Sequence, residues 1–349
     1  MDGFFWQMLT GEYAHLLVVG NVVGIATWLR RLSNRKCSQI TTWQDAGLVS
    51  AHAFLVGRLV QLAVANFGSA AYFRRAFVDS GVLSSADAKS RIGNRSWSDW
   101  WSLWNPLPFS LRFPGSIKTV AYGWVGERLP HALQMDVYRH ENCGEMPPVL
   151  LFIHGGGWLL GSKATIPSTL TFQPGFENAD CSVLACVDAY GTHDLTDRFG
   201  HYGRIDVAYV ASSSFYKKSR YYVEAVLMNT RLCVNRPAFE RASPLYHVLQ
   251  HTPSSVVPPF LCVHGIFDSV IPIEDTCEFF HALQRHRQVT GRVNAVPDVF
   301  VPLPQADHAF NCIRSPRTVA YNDAVGVFLD LVLAAHTKQH AVLLTTSKL

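Results

Sequence analysis

An apolar run that ends in three consecutive glycines, PVLLFIHGGGW at residues 148–158, constrains this chain more than any other stretch. Near-continuous apolar residues opened by Pro147 and Pro148 fit a strand buried on both faces of a parallel sheet. Gly155, Gly156 and Gly157 end the run abruptly, and the residues from Leu159 to Ser162 lead toward a helical stretch. Glycines leave backbone N–H groups bare, so a negative charge developing at the strand tip would meet donors with no side chain in the way. A tight strand-to-loop turn is the plain alternative. His154 before the glycines and Trp158 after them favour the charge-binding reading.

The His154-Gly155-Gly156-Gly157 element resembles the oxyanion loop of the α/β-hydrolases, in particular the esterase and lipase branch related to hormone-sensitive lipase. The resemblance covers roughly residues 115–336. It implies an α/β fold with a mostly parallel central sheet flanked by helices, opened by an antiparallel pair. It also implies a triad in the chain order Ser…Asp…His, with Gly155, Gly156 and Gly157 as the oxyanion hole and His154 as the start of the motif. Such a site needs no cofactor and no metal, and its partner is a small acyl-ester substrate.

Two residues match the acid and base positions in order and context. Asp268 follows the apolar strand 258–263 in Gly-Ile-Phe-Asp-Ser-Val-Ile-Pro, and His308 follows the strand 299–303 in Asp-His-Ala-Phe. Open α/β sheets bind their ligands at such carboxyl strand ends. The resemblance gives Asp268 the task of holding the imidazole and His308 the task of moving the nucleophile's proton. The nucleophile is unassigned, because no Gly-x-Ser-x-Gly occurs anywhere in the chain. Between Trp158 and the next apolar strand, 182–187, there is room for one crossover and no strand-to-helix elbow. Ser162, Ser168 and Ser182 are poor substitutes. The family pattern would also place further strands in this interval, and without them 182–187 would lie directly beside 149–153. A hydrolase crippled by the missing elbow, a non-catalytic binder of an acyl or ester ligand, and a membrane-attached scaffold are the three readings that follow.

The rest of the chain surrounds this core. Residues 1–114 read as a helical, apolar N-terminal extension, residues 115–340 as an incomplete α/β-hydrolase domain and residues 341–349 as a flexible tail. Within the extension, residues 14–29 are apolar and are followed by Arg30, Arg31, Arg35 and Lys36. That run is shorter than the ~20 residues that span a bilayer and is interrupted by Asn21, so it suits a tilted anchor or a helix packed on the body. A second long helix is expected over residues 48–78, where Arg58 argues against a span. Trp97, Trp100, Trp101 and Trp104 would share one helical face, packed on the domain or meeting lipid-like substrates at a membrane surface. Alternation through Val120, Tyr122 and Trp124, then Leu133, Met135 and Val137, predicts an antiparallel edge pair. Two further helices are expected at 273–288, with Cys277, Phe280 and Leu283 inward, and at 316–336. His193, Asp194 and Asp197 lack zinc-site spacing.

A net charge of +4 with no long basic block excludes nucleic acid as a partner. Eight cysteines without paired spacing read as buried thiols of a reducing compartment. The chain closes on Ser347, Lys348 and Leu349, the tripeptide read by the peroxisomal import receptor. Deleting Leu349 from a tagged chain should therefore shift it from peroxisomes to the cytosol under the microscope. An unchanged distribution would mean that the tripeptide is not read.

Overall fold

The computed structural model describes residues 9–33, 43–96, 99, 101, 103, 114–125, 131–145, 147–153, 182–200, 223–250 and 257–346. The chain gathers into two compact units, Met1–Pro106 with Val183–Leu349, and Leu107–Ser182. The N-terminal helices thus lie in the same compact unit as the parallel strands.

In the first unit, β3 (Cys186–Ala189), β4 (Phe260–Gly265) and β5 (Val299–Leu303) form a parallel sheet in that order. The period-2 side-chain alternation of a strand decides how it is covered. Leu261, Val263, Val299, Val301 and Leu303 face one apolar cluster, whereas Phe260, Cys262 and Phe300 face another. The first cluster is closed by Phe73 and Phe77 of α3 (Ser69–Asp79) and by Ala324 and Phe328 of α8 (Pro316–Thr346). The second is closed by Leu245 and Val248 of α6 (Pro244–Leu249) and by Phe279 and Leu283 of α7 (Ile273–Thr290). Helices on both faces are what a parallel sheet requires.

On α7 the inward face turns by one residue from the expected one. Phe279 and Leu283 are buried, while Cys277 and Phe280 are only partly covered. The reason is polar: Thr276 must reach His264 under the sheet, at 2.7 Å. The expected helix at 48–78 is broken at Gly68 into α2 (Trp43–Phe67) and α3. α8 runs on to Thr346, into the stretch expected to be an open tail. Short elements complete the unit: α1 (Ala14–Ser33), α4 (Ser85–Arg91), a π-helical turn at Val223–Leu227 and α5 (Arg236–Ala242).

In the second unit, β1 (Gly115–Val125) and β2 (His131–His140) pair antiparallel, with Val120 opposite Met135, as the alternation predicts. The strand expected at 149–153 is a correction. These residues adopt no strand, and Val149 and Phe152 are 92% and 80% exposed. An apolar run of this kind specifies a strand only where neighbours pair with both of its edges. Among the described residues none does. Among the described residues β3 pairs with β4, and no ladder joins it to 149–153. Ser347, Lys348, Leu349, Trp97, Trp100 and Trp104 lie outside the described residues, and Trp101 is exposed.

A buried polar cluster ties the chain's ends together. The Arg317 guanidinium, fully buried, ion-pairs with Glu12. Glu12 also accepts from the Ser315 hydroxyl at 2.6 Å and from Asn66 at 3.3 Å. Arg317 in turn donates to the Gln305 carbonyl at 3.2 Å, just upstream of His308. Burial pushes the Glu12 carboxyl up, and Arg317 opposes it. Arg317→Met would leave Glu12 buried without its cation and should cost about 3–5 kcal/mol in urea denaturation. The double change Arg317→Met with Glu12→Met should recover most of that loss.

Candidate active site

The carboxyl ends of all three parallel strands meet at one cluster. Gly265 ends β4 where a Cβ would stand 2.4 Å from the Ala306 carbonyl, so only glycine lets the two loops approach. That approach is fixed by Ile266 N–H donating to Leu303 O at 2.9 Å and Phe267 N–H donating to Ala306 O at 3.1 Å. Asp268 follows immediately. Its Oδ1 accepts from the backbone N–H groups of Val270 (2.8 Å) and Ile271 (2.7 Å). Its Oδ2 faces His308 Nδ1 at 2.8 Å. The two residues predicted from sequence to be acid and base are thus brought together, forty positions apart in the chain.

The neighbours hold that pair in place. Asp307 Oδ1 accepts from the N–H groups of Ser269 and His308, both at 2.7 Å, and so staples the two loops to each other. Burial pushes the Asp307 carboxyl up, while those two N–H groups pull against it. His264 Nε2 stands 3.0 Å from the Ile271 carbonyl and 3.2 Å from Asp268 Oδ2, and its Nδ1 accepts from the Thr276 hydroxyl. This arrangement requires the proton on Nε2, which makes His264 a second donor toward the Asp268 carboxylate. Tyr190, at the end of β3, lays its ring 4.5 Å from the His308 imidazole and donates its hydroxyl to Asn311. Tyr190, Gln305 and Ala309 all have positive φ (47°, 55° and 58°), a conformation that non-glycine residues hold only where their surroundings enforce it.

A second buried constellation lies beside it. His193 Nε2 is 3.1 Å from Asp188 Oδ2 and its Nδ1 is 3.1 Å from Asp275 Oδ2, with its ring stacked on Phe279. Burial alone would lower this imidazole, but the two carboxylates outweigh it and push it up to about 10. His193 is therefore an imidazolium clamped between Asp188 of β3 and Asp275 in the first turn of α7, and Asp194 caps its own turn by accepting from the Thr196 N–H. From the sequence His193 and Asp194 stood out only as a weak metal-like cluster. Asp188 and Asp275, far off in the chain, were the missing signal.

Not every expected site residue can be placed. His154, Gly155, Gly156 and Gly157 lie outside the described residues, as do Ser162 and Ser168. Ser182 is exposed and precedes the amino end of β3, the opposite end of the strand from Tyr190.

With Nδ1 turned to Asp268, the His308 side chain is 21% exposed. No protein-family model matches the chain. The probable carboxylic ester hydrolase LipM of Mycobacterium tuberculosis is 31% identical over 186 residues, covering 53% of this chain and 37% of that protein. Esterases LipQ and LipC of the same organism are 28% and 29% identical, covering 51% and 50% of this chain and 36% of each relative. The chain is related to the esterase and lipase branch of the α/β-hydrolases. It spans little more than a third of the length of these relatives. Among solved structures, a puromycin hydrolase mutant complexed with PGG aligns at TM-score 0.30 and 17% identity, over 44% of this chain and 18% of that one.

The Asp268 carboxylate generates a pH test. Burial would raise it, but His308 and His264 more than compensate and hold it at about 2, below its ordinary 3.8. A depressed folded-state value means that the stabilisation is present above pH 3.8 and is lost as pH falls through about 2. Urea midpoints of the intact chain should fall across that window. Asp268→Asn should flatten the fall by on the order of 2 kcal/mol.

Proposed function

We propose that this chain carries the acid–base half of a serine carboxylesterase site, and that as it stands the site turns over esters at or near background. The observation that supports the reading is the Asp268–His308 pair at 2.8 Å, standing at the carboxyl ends of adjacent parallel strands. In this reading Asp268 orients the imidazole and stabilises its protonated form. His308 Nε2 would take the proton of an attacking hydroxyl and return it to the leaving alcohol. Gly155, Gly156 and Gly157 would supply N–H donors to the oxyanion of the tetrahedral intermediate. The chain holds no elbow serine, and with it goes the oxyanion donor that follows such a serine. The substrate class is a small carboxylic ester.

Removing the nucleophile from such a site leaves only what binding and the remaining donors contribute. In serine proteases this lies roughly a thousandfold or more below the intact enzyme. The full chain should therefore hydrolyse p-nitrophenyl acetate at background and resist a fluorophosphonate probe. A strand–turn–helix segment bearing Gly-x-Ser-x-Gly, inserted between Leu170 and Phe172, should bring both hydrolysis and labelling, and His308→Ala should then abolish hydrolysis. Robust labelling of the unaltered chain, mapped to Ser162, Ser168 or Ser182, would overturn the reading, because a nucleophile would be present after all.

A further inference from the structure

Helices α1 and α2 form an antiparallel hairpin whose surface is unlike that of any other helix in its unit. Only the seam between them is covered. On α1 the partly buried positions Val18, Asn21, Ile25 and Trp28 recur at heptad spacing, and on α2 His52, Val56, Leu59 and Ala63 do the same. Away from the seam the apolar side chains face outward in every direction, among them Val22, Val23, Phe54, Leu55, Val60 and Val64, at 42–73% exposure. A protein partner covers one stripe of a helix. α8 shows that pattern: it is as apolar as α2 but buries Ala324, Phe328 and Val332 in the core. A lipid phase covers every side at once.

We propose that the α1–α2 hairpin inserts into a lipid bilayer and anchors the α/β unit to it. Length fits this occupant on α2, whose 25 residues extend about 37 Å at ~1.5 Å per residue against a hydrocarbon core of ~30 Å, while the apolar residues 14–29 of α1 enter most of that depth. Asn21, Thr27, Arg58 and Gln61 of the hairpin bond locally, as a medium without water demands. Asn21 donates to Leu17 O and Thr27 to Gly24 O, each at 2.8 Å. Arg58 donates to Gln61 Oε1 at 2.7 Å. Gln61 lies one turn toward the body of the protein, so the guanidinium points to the nearer interface, the direction in which a membrane-embedded arginine snorkels. The sequence expectation that Arg58 forbids a span weighed its charge and not its partner. At the body end the hairpin is fixed by Asn66 donating to the Glu12 carbonyl at 3.1 Å and by the His15 and Phe67 rings at 5.6 Å. At the far end of α1 the apolar stretch closes on the exposed Arg30, whose charge suits anionic headgroups.

Flotation tests this independently of any hydrolase activity. The full chain, synthesised in the presence of phosphatidylcholine vesicles containing phosphatidylserine, should float with them and stay bound in alkaline carbonate. Val22→Asp with Val23→Asp, Phe54→Asp and Val64→Asp, all at exposed positions, should lower the floating fraction at least about tenfold. A lipid carrying a diazirine on its acyl chain should label residues 16–29 and 53–64 of the unaltered chain, whatever the folding of the variant. Equal flotation of both chains would overturn the proposal, as would labelling elsewhere. A water-soluble dimer that dissociates in the variant would also overturn it, assigning the hairpin to a second copy of this chain.

Discussion

Parallel strands cannot stand with a face in water, and the fold of this chain is the working out of that constraint. Three strands contribute Leu261, Val263, Val299 and Val301 to one face and Phe260, Cys262 and Phe300 to the other. Each face needs its own helices. The second is covered by α6 and α7, close by in sequence. The first takes α8 from the C-terminal end and α3 from the N-terminal end, so residues that look like an appendage complete the core. Burying Phe73 and Phe77 fully contributes roughly 1.5–3 kcal/mol each. The Glu12–Arg317 pair then fixes the two ends of the chain to each other and reaches the loop that bears His308 through the Gln305 carbonyl.

The carboxyl edge of the sheet is built from these three strands and the loops that follow them. Close approach at Gly265, the Asp307 staple and the Tyr190 ring define where the His308 imidazole sits before any substrate arrives. The His193 clamp does the same for the neighbouring strand end. Among the described residues, the groups that orient Asp268 and His308 come from the loops after β4 and β5 and from Tyr190 at the end of β3.

The sequence made some of this legible and concealed the rest for physical reasons. Asp268 and His308 stood out because each follows a short apolar strand directly, so strand-end geometry could be read from local pattern. The β1–β2 pair was equally plain, because its alternating residues write a period of two into the sequence. Residues 149–153 misled for the converse reason. Their apolar run encodes a demand for neighbours on both edges, and pattern alone cannot say whether those neighbours exist. The inner face of α7 shifted because a buried hydrogen bond between Thr276 and His264 overrode the apolar stripe. Asp188, Asp275, His264 and Tyr190 were invisible as a group, since only the parallel pairing of β3 and β4 brings them to one edge.

The central claim is that the acid–base half-site is assembled in this chain without its nucleophile. The imidazole proton of His308 reports on that directly. In a chain with nitrogen-15 histidines, the proton on His308 Nδ1 should give a strongly downfield signal, slow to exchange with water, because it is held by the Asp268 carboxylate. That signal should vanish in Asp268→Asn, while the signals of the buried His193, held by Asp188 and Asp275, remain. A His308 resonance indistinguishable from those of exposed histidines, and unmoved by Asp268→Asn, would contradict the account.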